Sequence, residues 1–316
     1  MSAPEEMRRS ERFPTTGPAE LVVEIDAGRV DVRLDATAGA DTVSVEVAAD
    51  AEGAPGWVRG LAGLVDAASG LEARFGVDLG SLAGLGVRRD ESPEERAARA
   101  VAETTIAWEA GALRVRSPQE VALRTVPLAV VVHAPEGSAV TVRAGAAPVD
   151  VAGRPGTVEV ATTGSVSLDR TAERSRIRCG AGDVTVGRVE GPLRVKGGAG
   201  DVFLDGVTAG VEVVTGSGSV TAGRVAADLA VRCGSGNVTV RDASAGDLDL
   251  STGAGTIQVG VHAGVDASVD LRSAAGRSTS DLPVSATRSE HDRSSGTVRI
   301  RGRAAAGDTR VVRAGA

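Results

Sequence analysis

Gly164, Gly182, Gly200, Gly218 and Gly236 stand 18 residues apart, and Gly255 follows after 19. No other feature of the chain restricts its fold as strongly. A unit this short cannot bury an apolar face alone, so its copies must stack. Each glycine is followed by Ser, Asp, Asn or Thr, residues that bond their own backbone at bends, and then by apolar and polar residues in alternation. Gly182-Asp183-Val184-Thr185-Val186 and Gly200-Asp201-Val202-Phe203-Leu204 are examples. A second apolar pair occupies the other half of each copy: Leu193 and Val195, Val211 and Val213, Leu229 and Val231, Leu248 and Leu250. Each period thus reads as two short strands and two turns.

The expected fold is all-β, a β-solenoid of stacked two-strand rungs with a small helical insertion. Rungs pair at about 4.8 Å. Val166, Val184, Val202, Val220, Val238 and Ile257 would then share one inward file, and Leu168, Val186, Leu204, Ala222, Val240 and Val259 a second. The same alternation permits an antiparallel sandwich with regular hairpins. The two cysteines separate these readings. Cys179 and Cys233 occupy one column, 54 residues apart. Three rungs would hold them roughly 14 Å from each other, too far for a disulfide, which needs Cα atoms within about 7 Å. Two free, buried thiols are expected.

Outside the repeat, Gly28 to Leu34 and Val43 to Val47 read as strands, and Ile106 to Val115 as a hairpin turning at Glu109-Ala110-Gly111. Val126 to Val132 continues the sheet. Gly296 to Ile300 restores the turn-strand signature, Thr287 to Ser295 is a loop, and Asp308 to Val312 is a last strand. Between 51 and 103 the period becomes helical. Trp57, Leu61, Leu64, Val65, Ala68, Leu71 and Phe75 make one apolar face, and Ser92-Pro93-Glu94-Glu95 has the form of a capping box. The expected organisation is a flexible terminus over 1–19, one β-repeat domain made of 20–50 and 104–313, and a helical insertion over 51–103. That insertion is expected to pack over an open end of the solenoid or against a second subunit.

Composition narrows function by exclusion. With no Tyr, 3 Phe and 2 Trp, the core must be thin and built of small branched side chains, and platforms for sugar rings or bases are scarce. The net charge of −7 and a single lysine, Lys196, do not describe a surface that tracks phosphates. Apolar runs fall far short of the roughly 20 residues that span a bilayer. Gly-x-Gly here opens strands rather than helices, so it reads as a structural turn and not a phosphate cradle. Asp183 and Asp201 share a column with Ser165, Ser219, Asn237 and Thr256, which reads as bend hydrogen bonding rather than a calcium ladder. His133, His262 and His291 are scattered, and no catalytic or metal-binding set can be assembled. Ser167, Thr185, Thr221 and Thr239 form an outward hydroxyl column interrupted by Phe203 and Gln258. Met1 to Glu20 contains no apolar core of the kind a secretory leader needs, so a cytoplasmic location is expected.

The repeated G-x-G-[DSN]-V-x-[VL] turns, the entry strands over Ala146 to Val160, Glu94-Glu95-Arg96 ahead of Trp108, and GRSTSDLP over Gly276 to Pro283 together resemble one family. It is the bacterial putative-adhesin or toastrack-like family of β-strand repeat proteins, a domain of unknown function, in an actinobacterial form. The resemblance spans about residues 20 to 313. It implies a stacked all-β fold without known catalysis and an association with cell-envelope stress systems, and it supplies no site residue; no cofactor is expected. The expected function is a non-enzymatic cytoplasmic scaffold or protein-interaction module. It would bind a protein partner or itself, without nucleic acid and without membrane insertion. An exported adhesin or carbohydrate-binding β-helix protein is the alternative.

Overall fold

A computed structural model describes residues 7–35, 41–50, 92–282 and 297–315. Strand outweighs helix by 66% to 6%, so the class is all-β. The chain forms two compact units, 1–151 and 152–316, where the repeat pattern led us to expect one β domain.

In the first unit the strands are β1 (Arg8–Pro14), β2 (Glu20–Asp35), β3 (Thr42–Ala49), β4 (Thr105–Glu109), β5 (Ala112–Arg116), β6 (Leu128–Pro135), β7 (Ala139–Ala146) and β8 (Val149–Gly153), within which the division falls. β2 serves two sheets. Its first half pairs in parallel with β5 and β7, and its second half with β6. The change of sheet occurs at Gly28, whose φ is +117°, and a Cβ there would lie 1.9 Å from the Leu128 carbonyl oxygen. Both sheets then end in antiparallel strands, β3 and β1 on one side and β4 on the other. Phe13 of β1 and Trp108 of β4 stack with ring centroids 5.5 Å apart and planes 8° from parallel. Residues 8–14 therefore belong to a sheet and not to the flexible terminus expected over 1–19. Their charges disguise them: the strand reads RRSERFP and has no apolar alternation.

The expected hairpin is present, closed by Ala110 and Gly111, both at positive φ. So is the capping box. Ser92 Oγ accepts from the Glu95 amide at 3.1 Å, and the Glu95 carboxylate accepts from the Ser92 amide at 2.8 Å. It starts the helix Pro93–Glu103, which buries Ala100 and Val101. Arg9 of β1 donates to the carbonyls of Ala102 and Thr104 at the end of that helix. The first expected helix, Trp57 to Phe75, lies outside the described residues.

At the β2 bend, Asp26 accepts from Arg124 Nε and a terminal guanidinium nitrogen at 3.0 and 2.7 Å, and from Ser117 Oγ at 2.8 Å. The Arg124 guanidinium holds the Asp26 carboxyl below its ordinary value, partly opposed by burial. Asp26 is thus harder to protonate folded than unfolded. Its contribution is complete above about pH 4 and is lost as pH falls through the lowered folded value. Arg124 is open to solvent, so water and salt screen the pair and its contribution is small. Arg124→Met is expected to lose less stability than the parent between neutral and strongly acidic pH, measured as urea midpoints.

The second unit holds β9 (Val158–Thr162), β10 (Val166–Thr171), β11 (Ser175–Cys179), β12 (Val184–Val189), β13 (Leu193–Ala199), β14 (Val202–Val207), β15 (Val211–Ser217), β16 (Val220–Val225), β17 (Leu229–Ser235), β18 (Val238–Ala243), β19 (Gly246–Ala254), β20 (Ile257–Val261), β21 (Asp266–Ala275), β22 (Ser278–Ser280), β23 (Thr297–Ala306) and β24 (Thr309–Arg313). All pairings among them are parallel. Even-numbered strands from β10 onward form one sheet and odd-numbered strands from β9 the other. The register is the one the repeat predicts. Val166, Val184, Val202, Val220, Val238 and Ile257 are successive partners, as are Leu168, Val186, Leu204, Ala222, Val240 and Val259. All twelve are buried. This is a solenoid and not an antiparallel sandwich.

A third inward file runs Thr171, Val189, Val207, Val225, Ala243, Val261. Thr171 is fully buried, and its Oγ1 has no hydrogen-bond partner among the described residues. A hydroxyl left unpaired in an apolar file costs more than the methyl that could replace it. Thr171→Val is expected to stabilise the protein by about 1 kcal/mol, read as a higher denaturant midpoint with an unchanged slope.

The final coils depart from sequence order. β23 pairs with β19 on one side and β21 on the other, while β24 lies between β20 and β22. The last strands of the chain thus sit between two coils that precede them. The residue expected to supply the turn glycine, Gly296, is outside the described residues. Thr297–Ala306 instead belongs to the odd-numbered sheet, and the turn is made by Gly307. β21 and β22 were not anticipated, because Asp266 to Ser280 has no Gly-x-Gly turn to mark the repeat, although Val269 and Leu271 form the usual apolar pair.

Candidate interaction surface

The corner between the two sheets of the second unit is built of backbone on backbone. A Cβ at Gly200, Gly218, Gly236 or Gly255 would lie 2.1 to 2.4 Å from the carbonyl oxygen of the equivalent glycine one coil earlier. Side chains are excluded from this file, which is why the glycine spacing is so regular. One residue on, a polar ladder runs between coils. Asp183 Oδ1 accepts from the Asp201 amide at 2.8 Å, Asp201 Oδ1 from the Ser219 amide at 2.7 Å, and Asn237 Oδ1 from the Thr256 amide at 2.8 Å. The hydrogen bonding expected at each bend is therefore intercoil, and it employs the two aspartates that might have suggested calcium. Asp308 Oδ1 continues the ladder to the Arg277 amide at 2.8 Å.

Cys179, Gly197, Thr215 and Cys233 are successive register partners, so the cysteines lie three coils apart. Both are free and buried. Burial raises each thiol above its ordinary pKa, with the Asp183 charge adding to the effect at Cys179. Low thiolate content and poor access both slow alkylation. Thiol reagents at neutral pH are expected to modify two groups in denatured protein and neither, on the same timescale, in folded protein.

The outward hydroxyl column lies where expected. Thr185, Phe203 and Thr221 are register neighbours, and Phe203 is 40% exposed. His262 Nδ1 is 3.0 Å from both carboxylate oxygens of Asp242 on the same sheet, a pairing the sequence reading did not make. His133 lies in β6 beside Arg33 and Ser44, and His291 is outside the described residues. Among the described residues no three His, Cys, Asp or Glu side chains gather as a metal site. No described helix is long and apolar enough to cross a membrane.

The surface with the clearest unmet demand is the outermost coil of the second unit. Among the described residues, no strand pairs with the outer edge of β21 or β22. Its inward row shows the consequence. Val298, Ile300 and Gly302 of β23 are buried, whereas Ala267, Val269 and Leu271, their respective counterparts in β21, remain half-buried. In the first unit the corresponding sheets end in antiparallel strands with charged residues and a stacked aromatic pair. Edge exposure depends on stacking order, so no sequence motif marked it.

The family model described as Toastrack DUF4097 matches residues 130–311. The chain belongs to that family. Solved structures similar to this Toastrack chain include a putative adhesin from Bacteroides fragilis, 10% identical, covering 96% of each chain with a TM-score of 0.34. A putative cell adhesion protein from Clostridium sporogenes is 9% identical, covering 97% of this chain and 98% of its own, with a TM-score of 0.22. A putative adhesin from Parabacteroides distasonis is 11% identical, covering 96% of each chain, with a TM-score of 0.27. Likeness at this level carries no argument about function. No curated protein matches the chain.

Proposed function

We propose that this Toastrack protein is a non-enzymatic β-repeat scaffold that binds an extended strand of a protein partner along the outer edge of β21. The open coil carries the reading. Its backbone groups face outward without a strand partner among the described residues, and its inward row is incompletely covered. Strand addition would satisfy both deficits at once: main-chain hydrogen bonds give affinity, and alternate side chains complete the row of Val269 and Leu271. Two unpaired cysteines are compatible with action in a reducing, cytoplasmic compartment. A role beside cell-envelope stress systems is the biological setting that the family resemblance supports.

Such an edge also pairs with itself when no partner is present. Light scattering across a concentration series should show reversible association of the parent protein. Val269→Lys combined with Leu271→Lys should abolish it by placing charge in the row to be covered. A parent that stays monomeric at every concentration, or association indifferent to the two lysines, would reject the edge as the binding surface.

A further inference from the structure

We propose that the terminal coil β23–β24 is an exchangeable insert, and that its slot between β19–β20 and β21–β22 accepts the same segment from a second copy of this chain. The inference is separate from the edge reading above, since it concerns the interior of the stack rather than its outer face.

The slot lies between two coils that precede the insert in sequence: β19–β20 pairs with the coil before it, and among the described residues β21 and β22 pair only with the insert. Val225, Ala243 and Val261 are equivalent in register, as are Leu229, Leu248, Ile300 and Val269. From Val225 to Leu229 is four positions and from Ala243 to Leu248 five, but from Val261 to Val269 is eight. A connection that climbs one coil rises about 4.8 Å. The longer connection climbs two, and so leaves a coil's height open between strands adjacent in sequence.

Both walls of that opening carry groups aimed at the insert. On the β19 side, Asp247 accepts from Arg299 at 2.7 Å. On the far side, Asp281 accepts from Arg310 at 2.7 Å, Ser273 Oγ donates to the Gly307 carbonyl at 2.7 Å, and Ser278 Oγ accepts from Thr309 Oγ1 at 2.8 Å. The stepping connection is itself gripped. The Arg313 guanidinium donates to the carbonyls of His262 and Val265 at 3.2 and 3.1 Å. Once seated, the insert is among the best-buried parts of the unit: Val298, Ile300, Thr309 and Val311 have no exposure.

Every wall residue precedes position 283 and every insert residue follows 296. The contacts across the slot are therefore the same whether the insert belongs to its own chain or to another copy. Reciprocal exchange gives a closed pair in which both slots are filled and none of the slot contacts among the described residues is lost, which is the energetic condition for swapping. A coil filled out of order is also the last to close. During synthesis β19–β20 is paired and open on one side before residues 297–313 arrive, so the insert of a neighbouring copy competes for it.

Ser268 of β21 and Arg299 of β23 are direct register partners, both on the outer face. Their replacement by cysteines gives a selective readout, since adjacent strands meet disulfide geometry. Ser268→Cys and Arg299→Cys variants carrying different affinity tags are co-expressed as full chains and oxidised after purification through one tag. The expected product is a disulfide-linked species of twice the chain mass bearing both tags. In a single chain carrying both cysteines, the link should form internally. Recovery of one tag alone, with no linked pair, would overturn the proposal. Failure of the double variant to link either internally or to a second copy would overturn the slot itself. Oxidation after dilution separates the two readings. Reversible edge association is lost on dilution, whereas an exchanged insert stays seated and the linked pair still forms.

Discussion

Gly218→Ala is expected to remove about 3 kcal/mol or more of stability, enough to unfold a typical domain in part at ambient temperature. Two independent penalties coincide at this residue. Its φ of +117° is a conformation that side-chain-bearing residues rarely adopt, and a Cβ would stand 2.1 Å from the Gly200 carbonyl oxygen. Relief would require the two coils to separate at the corner, and Gly218 also donates its amide to Ser235 at 3.0 Å across the next coil interface. Gly210, at the opposite turn, is the control. A Cβ there meets nothing within 4 Å, so Gly210→Ala is expected to change stability by no more than about 0.5 kcal/mol. Denaturant melts of the two variants test whether glycine is required by the corner file or merely common in this chain.

Leu204→Ala is the second large effect, and its neighbour supplies the contrast. Leu204 is 1% exposed between Val186 and Ala222. Ala222 already leaves the file narrow, so the walls cannot collapse further around a missing isobutyl group. A cost in the upper part of the usual range of about 2–5 kcal/mol is expected. Phe203 is larger but points outward, 40% exposed, and Phe203→Ala is expected to cost under about 1 kcal/mol. Nearly equal losses would mean that the in-out alternation of β14 is misassigned.

The interior of the repeat was readable because two constraints coincide there. Alternation with period two says which residues face inward, and a fixed unit length says which inward residues share a file, so Val184 and Val202 could be paired before any coordinates. Cys179 and Cys233 extended the same logic to a distance. The order of the last coils was hidden, since alternation in Asp266–Ala275 and Thr297–Ala306 is blind to which coil lies beneath which. Only the eight positions between Val261 and Val269 hint at it, and their meaning depends on knowing the equivalences first. β1 was missed because a charged strand at a sheet margin has no buried row to betray it. Phe13 meets Trp108 across 95 positions of sequence, and Asp26 meets Arg124 across 98. Neither pair lies within a repeat that could set its spacing. The open edge was invisible for the reason given by the coils: exposure there belongs to position in the stack and not to residue type.

The backbone-on-backbone corner also governs how this protein can change length. Adding or removing a whole period returns every glycine to its file and every valine to its row, so the stack grows or shrinks by one layer. A change of a few residues inside a strand throws side chains into the glycine file and turns an inward row to water. Variation among relatives should then fall into two kinds, whole layers gained or lost and small insertions confined to the turns remote from that corner.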